Sequence, residues 1–468
     1  MEYLFVAYYY SLPYLMALGA AFALVFLAAF SVSQPLLPLL TYLGVFFSFS
    51  GVNWGSFSSA TGAMYSRGSG QLFFPFVFWA LVLGTFWAVM GRALAKQPRQ
   101  PASSINRWFL MWGLLFILHL CWGLTAGVDI ADMLNGDGFI NVVWMGLLIA
   151  FMVASARNEK SISWLLQFIV VAGLLKSGYG LVRWAAFGGD PANVYSNVEK
   201  INIKLTYFDI VDSLVCVLAA ATCCWQLFVN PPKDGDSLGW RVLRWAVVVL
   251  GIVCVLLSYR RTAWVGILMC GIYLFWNLRP SLRLVGIAIV LPIMTVAVGF
   301  FAAKRLGARA EKLGLLSFVY DLLSSNEGTN ARTLELRLAF NSFVHSPIVG
   351  LGAWGRYPAT ILIPWQDPTR PGAFLHSGIL HVVMKTGLVG LMLMLGVIAS
   401  FVRKVRSMKH QTSEGGALVF AAICGMIFML PDFLLGTPIP QFRTTQMIAF
   451  CLGLPFFVAR AQQGRKSD

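Results

Sequence analysis

The sequence predicts an all-α, polytopic helical membrane protein with about 12–13 transmembrane helices and one large helical loop. Of its 468 residues, 58% are hydrophobic and 12% are charged, and the mean hydropathy is +0.74. Apolar runs of 16 or more residues recur along the chain, a length that suits helices crossing a hydrocarbon core of about 30 Å. The short alternating segments of a transmembrane β-barrel are absent.

The opening run MEYLFVAYYYSLPYLMALGAAFALVFLAAF lacks the positive n-region and small-residue cleavage site of a removable signal peptide, so 12–30 reads as a retained span. Further spans are expected at 36–50, 72–90, 108–127, 139–156, 162–188, 205–228, 242–258, 262–277, 283–302, 377–402, 416–435 and 442–460. Segment 36–50 is short and carries Pro38, so a re-entrant helix is the alternative there. This divides the chain into a bundle over 1–302, a loop over 303–375, and C-terminal spans with a tail over 376–468.

Connections such as GRALAKQPRQPASSINR, RNEKS, PPKDGDSLGWRVLR and VRKVRSMKH are rich in Lys and Arg and alternate with poorer ones, which assigns the basic set to the cytoplasm. The loop of about 73 residues then faces outward, and a loop of that length is usually functional or disordered. Its sequence favours order. In NARTLELRLAFNSFVHSP, Leu336, Ala339, Phe340, Phe343 and Val344 recur at helical spacing, Asn330 offers an N-cap and Pro347 a stop. Upstream, KRLGARAEKLGLLSFVYDLLSS is basic first and apolar later, as in a surface-lying or lid helix.

All eight cysteines fall within apolar runs and form no disulfide or zinc pattern. The net charge is +16, and many arginines fall on the expected outer face, where the positive-inside bias disfavours them. Among them are Arg260, Arg261, Arg332, Arg337, Arg356, Arg370 and Arg443. Two readings stand for this excess: a lipid-linked phosphate or pyrophosphate substrate, or contact with anionic head groups. Arg260 and Arg261 share the tight turn SYRRTAW, and an arginine fork suits phosphate oxygens; helix-end anchoring is the alternative. Arg332, expected in a helix's first turn, opposes the helix dipole, which makes sense if an anion docks beside it; a solvated surface arginine is the alternative. His376 opens a span at the outer mouth, where a neutral imidazole can take a proton from a hydroxyl; a hydrogen-bonded structural histidine is the alternative. His381 and Lys385 follow without a firm role. GLGAWG, Gly350–Gly355, follows no strand and reads as a tight turn rather than a dinucleotide site.

NARTLELRLAFNSFVHSPIVGLGAWGR, followed by LHSGILHVVMKTGLVGLMLML, resembles the shared signature of the O-antigen ligase and O-antigen polymerase superfamily. Asn330–Arg332, Pro347–Gly352, His376 and Gly387–Gly390 occupy its places, whereas Leu375 and Ser377 flank His376 where alanine and asparagine are usual. The resemblance implies inverting, metal-independent glycosyl transfer at the periplasmic face of a bacterial inner membrane. Its donor would be an undecaprenyl-pyrophosphate-linked oligosaccharide and its acceptor a glycan or lipid A-core. By the same resemblance, Arg260 or Arg261 and Arg332 bind the pyrophosphate, Arg337 is a lesser candidate, and His376 is the base. Membrane lipids are expected as partners; no cofactor, metal or nucleic acid is. A polysaccharide repeat-unit polymerase is the leading expectation, with the ligase next and a transporter of lipid-linked sugars third.

Overall fold

The computed structural model describes residues 34–49, 76–94, 103–193, 203–232, 237–290 with a few positions up to 300, 327–408 except 365 and 374, and 413–463. The expected span 12–30, the helix read over 304–325 and most of the span 283–302 lie outside the described residues. Twelve longer helices order the rest: α1 (Leu36–Ser48), α2 (Phe76–Leu94), α3 (Ser104–Thr125), α4 (Ile140–Ser155), α5 (Glu159–Ala186), α6 (Ile210–Cys224), α7 (Leu238–Leu256), α8 (Arg261–Asn277), α9 (Glu327–Val344), α10 (Gly378–Ser407), α11 (Ser413–Leu435) and α12 (Phe442–Gln463). Eight described helices are long and apolar enough to cross a membrane, and the chain is a multi-pass, all-α membrane protein.

Burial explains the layering. α6 is buried along its whole length and α12 along nearly all of its own, so these helices form the interior of the bundle, with their polar residues confined to paired or buried positions. Small residues in α6, such as Ala219, Ala220 and Ala221, let neighbouring backbones approach. Around this axis pack α4, α5, α7 and α11, and α3 keeps a face of Leu110, Met111, Leu114, Ile117 and Leu118 exposed to lipid.

Two charged clamps hold the ends of helices. Arg443 pairs with Asp209 and Asp212, each at 2.7 Å, while Lys176 pairs with Asp212 at 2.7 Å. The same two cations donate to the last carbonyls of α1, those of Phe46 and Ser48. Orphan carbonyls at a helix C-terminus attract cations, and the Asp209 N-cap and Asp212 sit in the first turn of α6, where anions are favoured. Arg443 is therefore committed to the core and does not add to an outer anion-binding face. Arg183, similarly, pairs with Asp190 at 3.0 Å.

The expected span 377–402 is interrupted. Gly387 adopts φ 63°, ψ −159°, which splits α10 into a short segment, 378–386, and a long one, 388–407. The loop Pro347–Gly352 fills the break. Leu351 and Gly352 donate to the carbonyls of Met384 and Lys385, while Leu388 and Val389 donate to those of Pro347 and Ile348, all at 2.9–3.1 Å. Backbone groups freed by a break inside a membrane protein must be satisfied by other protein groups, and this loop satisfies four of them. A Cβ on Gly387 would lie 2.2 Å from the Ile348 carbonyl oxygen, and one on Gly350 would lie 2.4 Å from the Lys385 carbonyl carbon. The Pro-x-x-Gly-x-Gly turn and the Gly387–Gly390 element are thus two halves of one joint.

Candidate active site

The site forms where α9 lies across the short first segment of α10. Ala339, Tyr357, Ile363, Leu375 and Met384 make a small core between them, and an antiparallel bridge pairs Tyr357 with Gly372. The face of α9 turned inward is Ala331, Glu335 and Ala339, at i, i+4 and i+8. This differs from the apolar face read from the sequence, since Phe340 and Val344 are exposed. The reason is polar: Glu335 is fully buried at the centre of that face, between two alanines small enough to let the helix close on it.

Glu335 is held by His376 and Tyr357. Its Oε2 receives the backbone N–H of His376 at 3.0 Å and meets His376 Nδ1 at 2.9 Å. Its Oε1 accepts from the Tyr357 hydroxyl at 3.1 Å. Burial, together with the adjacent carboxylate, pushes the Tyr357 phenol well above its ordinary pKa, which keeps it a donor to Glu335. With its backbone and Nδ1 both tied to one carboxylate, the His376 ring is fixed in orientation. Ser377 follows as the N-cap of α10, accepting from the Leu380 amide at 3.3 Å.

Arg260 reaches the same region from the turn before α8. Its Nη2 lies 3.0 Å from Asp432 Oδ1, its Nη1 donates to the Phe208 carbonyl at 2.6 Å, and its guanidinium sits over the Phe208 ring at 5.4 Å. Those contacts use two of five N–H donors. Tyr259 just before it has φ 53°, the left-handed region, at a cost of order 1–3 kcal/mol that a packed surrounding must sustain. Tyr259 is buried in a cluster with Leu256, Leu257 and Trp264 that supplies this packing. Asp432, near the end of α11, is buried and within electrostatic range of Arg260, Arg332 and His376 together. Of the three, Arg260 touches it directly.

Among the residues expected at a site, the structure thus groups Arg260, Arg332 and His376. Arg261 opens α8, half-buried. Arg332 and Arg337 are both exposed, and five residues set them about 140° apart around the helix, so the two do not share a face. The helix-dipole expectation for Arg332 is corrected. α9 begins at Glu327, not after Asn330, which places Arg332 in the second turn, where the dipole exerts little force. Glu335 and Asp432 escaped the sequence reading. Glu335 carried one usable signal, an acid at helical spacing between Ala331 and Ala339.

His381 and Lys385 lie on the short segment before the break. His381 Nε2 contacts the Gly138 carbonyl at 2.9 Å, and Lys385 Nζ donates to the Gly355 carbonyl at 2.5 Å. Both are buried and fasten the segment to neighbouring loops. Arg356 pairs with Asp132 at 3.2 Å and Arg370 with Asp367 at 3.7 Å, both on the surface.

No curated protein matches the chain. Residues 246–395, about a third of the length, match the family described as O-antigen ligase. The matched stretch contains Arg260, α9 with Arg332 and Glu335, both halves of the glycine joint, and His376. Over that stretch the chain is similar to the O-antigen ligase family.

Proposed function

We propose that the chain is an inverting glycosyltransferase that joins lipid-linked repeat units into a polysaccharide at the periplasmic face of the inner membrane. The observation that carries this reading is the Glu335–His376 pair at 2.9 Å, set beside Arg260 and Arg332 around Asp432. In this mechanism the acceptor sugar hydroxyl attacks the anomeric carbon from the side opposite the pyrophosphate. His376 takes the hydroxyl proton through Nε2, because Nδ1 faces Glu335, whose charge stabilises the imidazolium that forms. As the new glycosidic bond forms, the bond from the anomeric carbon to the phosphate oxygen breaks, and its electron pair leaves with the undecaprenyl pyrophosphate. Arg260 and Arg332 stabilise that developing charge in a site partly shielded from water. Arg260 is held for the task by Asp432, which fixes one side of the fork and leaves three donors.

The test supplies purified protein with an undecaprenyl-pyrophosphate-linked repeat unit, with and without lipid A-core, and separates products by size. A ladder from the repeat unit alone supports a polymerase. One shift that requires lipid A-core makes the protein a ligase, with the same donor and a different acceptor. No product in either, with lipid-linked sugar crossing vesicles, contradicts the enzyme reading in favour of transport.

A further inference from the structure

At the end of the bundle opposite the candidate site, α2, α4 and α12 finish together, with α4 packed between the other two. Each end supplies an arginine: Arg92 in the last turn of α2, Arg157 just past α4, and Arg460 in the last turn of α12. Helix C-termini attract cations, and Arg92 does donate to the Val153 carbonyl at 3.3 Å. That accounts for each arginine singly. It does not account for their meeting, since Arg157 and Arg460 both repel the charge of Arg92.

Two further observations point to what the cluster holds. Nη1 of Arg460 is buried and has no hydrogen-bond partner among the described residues, an arrangement that is costly unless an acceptor enters. Beside Arg92, the side chains of Val89, Met90 and Leu94 are 51%, 39% and 64% exposed, an apolar flank continuous with the membrane-facing side of α2. An acceptor here meets guanidinium forks on one side and hydrocarbon on the other. The basic bias of the adjoining connections sets this end at the cytoplasm, where anionic leaflet lipids gather.

We infer that Arg92, Arg157 and Arg460 form a binding site for the phosphodiester head group of an anionic phospholipid of the inner leaflet, with an acyl chain along Val89, Met90 and Leu94. The forks bind the phosphate oxygens as paired donors, with Nη1 of Arg460 gaining the acceptor it lacks. The glycosyl-transfer reading plays no part in this inference.

The test is native mass spectrometry of the detergent-purified protein titrated with phosphatidylglycerol, phosphatidylcholine or inorganic phosphate, together with thermal unfolding in each. Wild-type protein is expected to retain phosphatidylglycerol at least tenfold over phosphatidylcholine, and to unfold at higher temperature with it in a salt-sensitive way. R92Q/R460Q should lose that retention at least tenfold. R460K keeps the charge without the fork and should lose part of it. R406A, which removes an exposed arginine from the last turn of α10, should retain lipid as wild type does. Equal retention of phosphatidylcholine, undiminished retention by R92Q/R460Q, or stabilisation by inorganic phosphate without phosphatidylglycerol would each overturn the assignment. The wild-type thermal shift decides the matter even if the double variant fails to fold.

Discussion

Glutamine in place of Glu335 keeps the side chain's length and one carbonyl oxygen, and removes the charge. Oε2 takes both bonds from His376, so a glutamine oxygen at that position holds the ring where it is, and the new amide group faces Tyr357. What is lost is the charge-assisted part of the Nδ1 contact in the transition state. Glu335 is fully buried and the His376 side chain only 18% exposed, so water screens the pair little. A hydrogen bond to a charged group under such conditions contributes about 1.5–3 kcal/mol, which corresponds to about a 10- to 150-fold fall in kcat. KM for the lipid-linked donor should change less than about threefold, because the arginines remain. Alanine at the same position leaves three donors without an acceptor, at about 1–3 kcal/mol for each that stays buried, and should loosen the packing of α9 as well. The assay is the rate of ladder formation from a lipid-linked repeat unit, with thermal unfolding run in parallel. A Glu335→Gln protein that folds normally and turns over within about threefold of wild type would refute the orienting role.

Other perturbations separate the parts of the account. Arg332→Ala should lower donor turnover more than about tenfold, whereas Arg337→Ala, on another face of α9, should stay within about twofold; the same ladder assay compares them. In a double-mutant cycle of Arg260→Ala and Asp432→Ala read by thermal stability, removing either partner should cost about 3–5 kcal/mol, and the second removal should cost much less. Gly387→Ala puts a Cβ 2.2 Å from the Ile348 carbonyl oxygen at a positive φ, so protein yield and melting temperature should fall, with Gly350→Ala behaving alike. Arg443→Ala leaves Asp209 and Asp212 buried without their shared cation and should cost about 3–5 kcal/mol in unfolding measurements.

Helix existence was legible because a membrane span is a one-dimensional property: length and apolar content set it, and the described helices fall within a few residues of the expected spans. The break at Gly387 was hidden for the same reason. Apolar residues lie on both sides of Gly387 with no proline between them, and only the partner loop at Pro347–Gly352 shows why the helix must open there. His376 was visible as a lone ionisable residue at the mouth of a span. Glu335 was obscured by its context, since it interrupts a stripe that reads as apolar on the face of Leu336 and Phe340, while the face that packs is the one it shares with Ala331 and Ala339. Arg443 and Arg260 look alike in sequence, two arginines near span ends. Three-dimensional pairing distinguishes them, one sealed between two aspartates and two carbonyls, the other held on one side by Asp432.

In the proposed mechanism His376, oriented by Glu335, is the base for glycosyl transfer. Its most direct measurement is single-turnover transfer by His376→Ala from a lipid-linked repeat unit, with donor affinity determined on the same protein. Donor binding should stay within about threefold of wild type while the rate falls by about 10²–10⁴-fold, the range of general base catalysis. Full turnover by His376→Ala at normal donor affinity would contradict it.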